Sequence, residues 1–337
     1  MNFNEMILNV KPYSVFRQEG YHVWCGTAVK GDDGQYYLFY SRWPKELGHY
    51  AWVTHSEVGY AVSKSPLGPY IPQGLVLTGR GGDNWDANSI HNPTVIKVNN
   101  KYYMYYMGNK GKSSFEGKPL MSNVNWWEYR NNQRVGVAVA EHPKGPWKRF
   151  DKPVIDVTED SFDSLLTSNP TVTQGYDGRF YMIYKAVGKT DHYKGGGVIC
   201  GVAISENPEG PFVKQPNPIM VNPEEGWSVE DPYIWCQSGK FYALVKDFQG
   251  YFTKRGNNTV ALFESMNGID WNPSEHPFAF DLEFTWEDGT TEKLIALERP
   301  QLLIENGKPI MLFCAAALEN DHDRENSFNV HIPLRTE

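Results

Sequence analysis

Cysteine is scarce and scattered: Cys25, Cys200, Cys236 and Cys314 stand far apart, with no CxxC pair. That spacing excludes a zinc cluster of the usual kind and argues against a disulfide framework in so long a chain. All four read as small buried apolar residues. Long apolar runs are missing too, since nothing approaches the roughly 18 residues of a membrane span. Basic charge is in deficit, 32 Lys+Arg against 40 Asp+Glu, for a formal charge of −8. Without a basic run there is no surface to neutralise phosphates, which argues against nucleic-acid binding. The opening MNFNEMILNVKPYSVFRQEG has no basic stretch leading into an apolar one, so no signal peptide is read. A cytoplasmic location is the expectation for the sequence as written, or a periplasmic or secreted one if a signal peptide has been removed.

Aromatic residues are abundant instead: 11 Trp, 20 Tyr and 17 Phe, beside only 21% charged residues. Such a chain buries enough apolar surface to exclude disorder. Its organisation is repetitive. HNPTVIKVNNKYYMYYMG from His91 is matched by SNPTVTQGYDGRFYMIYKA from Ser168, EDPYIWCQSGKFYALVKD from Glu230 and ERPQLLIENGKPIMLFCAA from Glu298. A degenerate first copy, WCGTAVKGDDGQYYLFYS, starts at Trp24. A second element follows in each of the first three units: GYAVSKSPLGPY, GVAVAEHPKGPW and GVAISENPEGPF. Alternation of period two is clear in KYYMYYM and RFYMIYK, and helical periodicity is nowhere sustained. Five four-stranded units predict one all-β domain over residues 1–337, a single five-bladed β-propeller. The segment 6–17 is expected to add an outer strand that closes the ring with the last blade.

The innermost strand of each propeller blade lines the central channel, so the residues at its start converge on one funnel. They are His22, Trp24 and Cys25; His91 and Asn92; Ser168 and Asn169; Glu230 and Asp231; Glu298 and Arg299. Residue type changes from blade to blade, as a site built on a symmetric scaffold requires. Asn-Pro and Asp-Pro are also good strand-starting turns, which gives Asn92 and Asn169 an alternative, purely structural role. Acidic and guanidinium groups at a narrow throat are different, because such charges are rarely buried unless paired or used.

VEDPYIW followed by GKFYALVKD resembles the fourth blade of glycoside hydrolase family 43, and the NGKYYMYYMG and DGRFYMIYKA hairpins and SxxPxGPW elements are similar to the same propeller group. That group includes families 32, 62, 68, 117 and 130. The resemblance implies a glycosidase whose general acid is Glu230. It departs from the family in two places: the first-blade Asp that activates water falls at Cys25, and the third-blade Asp at Asn169. Cys25 is better read as pocket lining than as a nucleophile. The missing base then has to come from another loop, Asp86 being the first candidate and Asp231 and Asp247 the reserves, with Glu298 as a further carboxylate.

Adjacent strand residues point to opposite faces, so Glu230 is placed in the pocket and Asp231 behind it as an orienting partner. Trp24, Trp43, Trp85, Trp126, Trp127 and Trp227 offer flat rings for a sugar. His22, His91, Asn92, Asn169, Lys185, Asp247 and Arg299 complete the expected binding set; Arg134, Lys185, Lys246 and Arg299 suit an acidic group on the sugar. No metal site is assigned from ligand spacing, although the resemblance allows a structural Ca²⁺ in the channel, and a His acid at His91. The expected reaction is exo-hydrolysis of a short oligosaccharide. The alternatives are a family 130-like phosphorylase, with Arg299, Lys185 and Arg134 on phosphate, and a propeller that binds sugar without cleaving it.

Overall fold

In the computed structural model, which describes residues 1–336, five antiparallel sheets stand in a ring. The first blade runs Tyr21–Lys30, Tyr36–Pro44, Glu57–Ser63, Ile71–Leu77 from channel to rim. The second is Ser89–Val98, Lys101–Asn109, Arg134–Ala140, Lys148–Arg149, and the third Leu166–Gln174, Phe180–Val187, Ile199–Ser205, Val213–Lys214. The fourth is Val229–Gln237, Lys240–Asp247, Thr259–Ser265, Asn272–Phe280.

The fifth blade draws on both ends of the chain. Thr291–Glu305, Lys308–Leu318 and Phe328–Pro333 are followed outward by Val15–Phe16, with Val15 opposite Val330 and Phe16 opposite Asn329. A further bridge joins Ile7 to Leu334. The expected closing strand is therefore present, though only residues 15–16 form it. Closure leaves the last sheet without a free edge at Phe328–Pro333.

Apolar side chains pack between blades rather than into one centre. One core joins Tyr36, Leu38 and Tyr40 of the first blade to Met311 and Phe313 of the fifth, and a second joins Tyr37 and Phe39 to Tyr102 and Met104. Equivalent cores fill the second–third, third–fourth and fourth–fifth junctions. Both faces of a middle strand are thus covered, which is why Lys101–Asn109 is buried at every position after the first.

The GYAV, GVAV and GVAI elements supply a repeated packing device. A Cβ on Gly59, Gly136 or Gly201 would lie 2.7–2.8 Å from the Tyr40, Tyr106 or Tyr184 ring beside it. Those tyrosine hydroxyls donate to Gln18, Asp86 and Asp163 respectively. Asp163 is likewise buried, a partner of both Tyr184 and Lys214.

Each inner strand breaks register near its start, between Trp24 and Thr27, His91 and Thr94, Ser168 and Thr171, Glu230 and Tyr233, and Glu298 and Gln301. At the bulge, Cys25, Asn92, Asn169, Asp231 and Arg299 all adopt positive φ, between 47° and 56°. This is the left-handed region that Asn and Asp tolerate best among non-glycine residues. A bulge re-aims side chains, so two successive residues can face the same end of the channel.

Candidate active site

The bulged residues meet at the channel axis as a ring. The Cys25 thiol donates to Asn92 Oδ1; Asn92 Nδ2 donates to Asn169 Oδ1 at 2.7 Å, and Asn169 Nδ2 to Asp231 Oδ1 at 2.8 Å. Arg299 completes the circuit, its Nη1 3.8 Å from the same Asp231 oxygen. Asn92 and Asn169 lie inside their strands, and their side chains serve the ring rather than a strand-starting turn, at the floor of a cavity.

That cavity, of about 270 Å³, opens above the ring. Its lining includes nine of the twelve residues proposed from sequence: Trp24, His91, Asn92, Asn169, Lys185, Glu230, Asp231, Glu298 and Arg299. Glu230 and Asp231 both reach it, which corrects the expectation that alternation would send Asp231 elsewhere; the bulge between Glu230 and Tyr233 is the reason. Cys25 lies fully buried beneath, and burial pushes its thiol pKa well up, so it stays protonated.

Three of those twelve stand outside the lining, as do Cys25, expected to line the pocket, and Trp85, expected to face a sugar but stacked on Tyr106 in an inter-blade core. Asp86 is wholly buried, bound by Arg80 Nε at 2.5 Å, Tyr106 Oη at 2.9 Å and Arg149 Nη1 at 3.4 Å. It belongs to the tyrosine–glycine packing device, and so has no free oxygen to activate water. Asp247 accepts backbone N–H groups from Tyr251, Phe252 and Thr253, fixing the loop after its strand. His22 is buried behind the wall, stacked on Trp43 with ring centres 5.3 Å apart. Arg134, proposed as a phosphate ligand, pairs with Asp156 and also lies outside the lining.

Cross-strand neighbours supply the cations. Lys185 stands opposite Ser168, and Lys246 opposite Glu230. Lys185 Nζ lies 2.7 Å from Glu230 Oε1, and Lys246 Nζ 2.8 Å from Glu230 Oε2 and 3.3 Å from Glu298 Oε1. Arg324 approaches Glu298 Oε1 at 3.6 Å, and Glu298 Oε2 has no partner among the described residues.

Protonation follows from these contacts. Burial alone would raise the Glu230 pKa, but Lys185 and Lys246 outweigh it and hold the carboxyl well below the usual range. Glu298 is shifted downward in the same way, burial being outweighed by Lys246 and Arg324. Asp231 goes the other way: burial first, then the charge on Glu230, push it up to about 6. The site therefore holds two ionised carboxylates and one acid poised near neutrality. His91 donates or accepts through Nδ1 with Ser56 Oγ at 2.7 Å, and burial with the nearby Arg299 holds its pKa well down. A neutral imidazole does not suit the acid role that the resemblance allowed.

Aromatic walls come from two insertions. The helix Trp52–His55 and the helix Val124–Asn131 interlock through Trp126, whose ring meets Trp52 edge-on at 5.5 Å and whose Nε1 donates to the Tyr50 carbonyl. Trp43, Trp127 and Trp227 complete the wall. Trp52, Arg130 and Arg324 were missed in sequence. Arg130 was nonetheless signalled by the polar-aromatic run NVNWWEYRNNQR, too polar to be core throughout.

The donor set does not suit calcium. The Arg299 guanidinium stands beside Asp231 in the ring, where it would repel a cation, and no group of three or more His, Cys, Asp or Glu able to hold a metal occurs among the described residues.

No family model matches the chain. It is similar to a xylosidase/arabinosidase of Bacteroides ovatus, 24% identical over 252 residues, covering 68% of this chain and 65% of the relative. It is also similar to a β-1,2-mannobiose phosphorylase of Thermoanaerobacter sp. strain X514, 27% identical over 107 residues, covering 32% of this chain and 33% of the relative. The chain thus spans less than two thirds of either curated relative. Among solved structures, a family 117 glycoside hydrolase of Zobellia galactanivorans superposes with a TM-score of 0.67 at 17% identity, over 97% of this chain and 89% of that one. A thermostable family 43 glycoside hydrolase gives 0.62 at 14% identity, over 98% and 94%. The fold is that of the five-bladed propeller glycoside hydrolases.

Proposed function

We propose that the protein is a glycoside hydrolase acting from the end of a short oligosaccharide. The observation that carries this reading is one cavity in which Asp231, raised to about 6, sits with the ionised Glu230 and Glu298. Environments that push neighbouring carboxyl pKa values apart separate an acid from a base. Asp231 donates its proton to the leaving glycosidic oxygen. Glu298, through its free Oε2, takes a proton from the attacking water as that water bonds to the anomeric carbon. Glu230, pinned by two lysines, remains a fixed carboxylate beside the developing oxocarbenium charge. The acid role expected for Glu230 thus passes to Asp231. A volume near the lower end of small-molecule sites, roughly 300–1,000 Å³, suits one or two sugar rings and supports exo-action.

The test is turnover of arabino- and xylo-oligosaccharides, of nitrophenyl pentosides and of nitrophenyl glycuronides by the full chain, with and without inorganic phosphate. Release of sugar without phosphate is expected, with Glu298→Gln lowering kcat by about 10²–10⁴-fold. Binding without turnover of any substrate would point instead to a sugar-binding propeller. Obligate phosphate would point to phosphorolysis, a reading that the cationic lining and the name of one relative favour.

A further inference from the structure

Five cations line the cavity against three carboxylates, in a protein whose formal charge is −8. Four of the five have a carboxylate within ion-pair distance: Lys185, Lys246, Arg299 and Arg324. Arg130 has none among the described residues, although it is only 5% exposed. A buried guanidinium without a counter-charge is costly, which makes its position informative.

Arg130 is held in place without being neutralised. Its Nη1 donates to Asn131 Oδ1 at 3.1 Å and to the Lys194 carbonyl at 3.0 Å, and its guanidinium lies 5.4 Å from the centre of the Trp127 ring. Nε and Nη2 have no partner among the described residues, and neither is among the buried polar atoms sealed from solvent. The free edge of the guanidinium is the side-on fork that matches two oxygens of one oxyanion. Burial draws its pKa down to about 10, which leaves it charged at neutral pH.

We propose that the cavity takes a sugar carrying an oxyanion, best matched by the carboxylate of a uronic acid, seated on the Nε–Nη2 edge of Arg130. This deepens the reading of the cavity as a glycoside site and rests on it. The anion supplies the counter-charge Arg130 lacks, while the sugar ring lies against the adjoining tryptophans. Lys194, whose Nζ sits 4.6 Å over the Trp127 ring, adds positive potential from behind that wall.

Calorimetry on the full chain at pH 7 tests this, comparing glucuronic and galacturonic acids with glucose and galactose, and galactose 6-sulfate with galactose. At least one acidic sugar is expected to bind about tenfold or more tightly than its neutral parent. Arg130→Gln should erase that preference, and Arg130→Lys should restore part of it, keeping charge without the fork. Preference for the sulfated sugar alone would support the oxyanion site and reassign its source. Equal or weaker binding of every acidic sugar overturns the proposal. So does binding of inorganic phosphate that is lost in Arg130→Gln while acidic sugars gain nothing, since the anion is then free. If Arg130→Gln does not fold, the acid-to-neutral comparison on the natural protein decides. Because binding is read without turnover, acid preference with no hydrolysis would sink the hydrolase reading and leave this one standing.

Discussion

Because burial and the charge of Glu230 raise the Asp231 carboxyl to about 6, while Lys185, Lys246 and Arg324 hold Glu230 and Glu298 low, pH should separate the three roles proposed for them. A proton donor works only while protonated, so kcat/KM should fall above pH 6 by roughly tenfold per unit as Asp231 ionises. Below pH 6 the donor is loaded and Glu298 stays ionised, so activity should hold until its depressed pKa is approached. Asp231→Asn should abolish the alkaline limb. It should also cost about 10²–10⁴-fold on an oligosaccharide but far less on a nitrophenyl glycoside, whose leaving group needs no proton. An unchanged pH profile in that variant would remove Asp231 from the donor role. Residue-level reading of the sequence located most of the polar residues that line the cavity, because residues at equivalent repeat positions converge in space. It misjudged Asp86, whose partners are Arg80, in the same loop but not read as paired, and Arg149, 63 residues away.

At the level of single elements, the repeated pattern carried the strands faithfully, since each hairpin keeps its alternation through the middle of the blade. What it could not carry was the bulge. Period-two reasoning assigned Glu230 and Asp231 to opposite faces, and one extra residue in the strand cancelled that inference. Lys246 acquires its part in the site from the pairing register, being opposite Glu230. The glycine–tyrosine device makes an element-level prediction. Gly201→Ala places a Cβ 2.7 Å from the Tyr184 ring, so it should destabilise by about 1–3 kcal/mol. Alanine in a strand would otherwise gain over glycine, so a melting temperature equal to or above that of the parent would refute the packing account.

For the molecule as a whole, closure rests on a two-residue strand and on the backbone bonds of residues 6–8 to residues 333–335. Deleting residues 1–17 removes Val15 and Phe16 from Phe328–Pro333, together with the contact of Phe16 against Tyr40 at 4.6 Å. The exposed strand edge should lower the melting temperature and drive concentration-dependent association, read by thermal unfolding and size-exclusion chromatography. A shortened chain that melts like the parent and stays at the same elution volume would show that inter-blade packing alone keeps the ring shut. The left-handed bulge has a different consequence, one for ancestry and engineering. Since all five blades share a positive φ of 47–56° at that point, a side chain there can be exchanged without moving the backbone, provided the ring of side-chain hydrogen bonds is re-paired around it. Descent from one repeated unit could therefore diversify reactivity one blade at a time, and a laboratory redesign can follow the same route, beginning with Cys25→Asp.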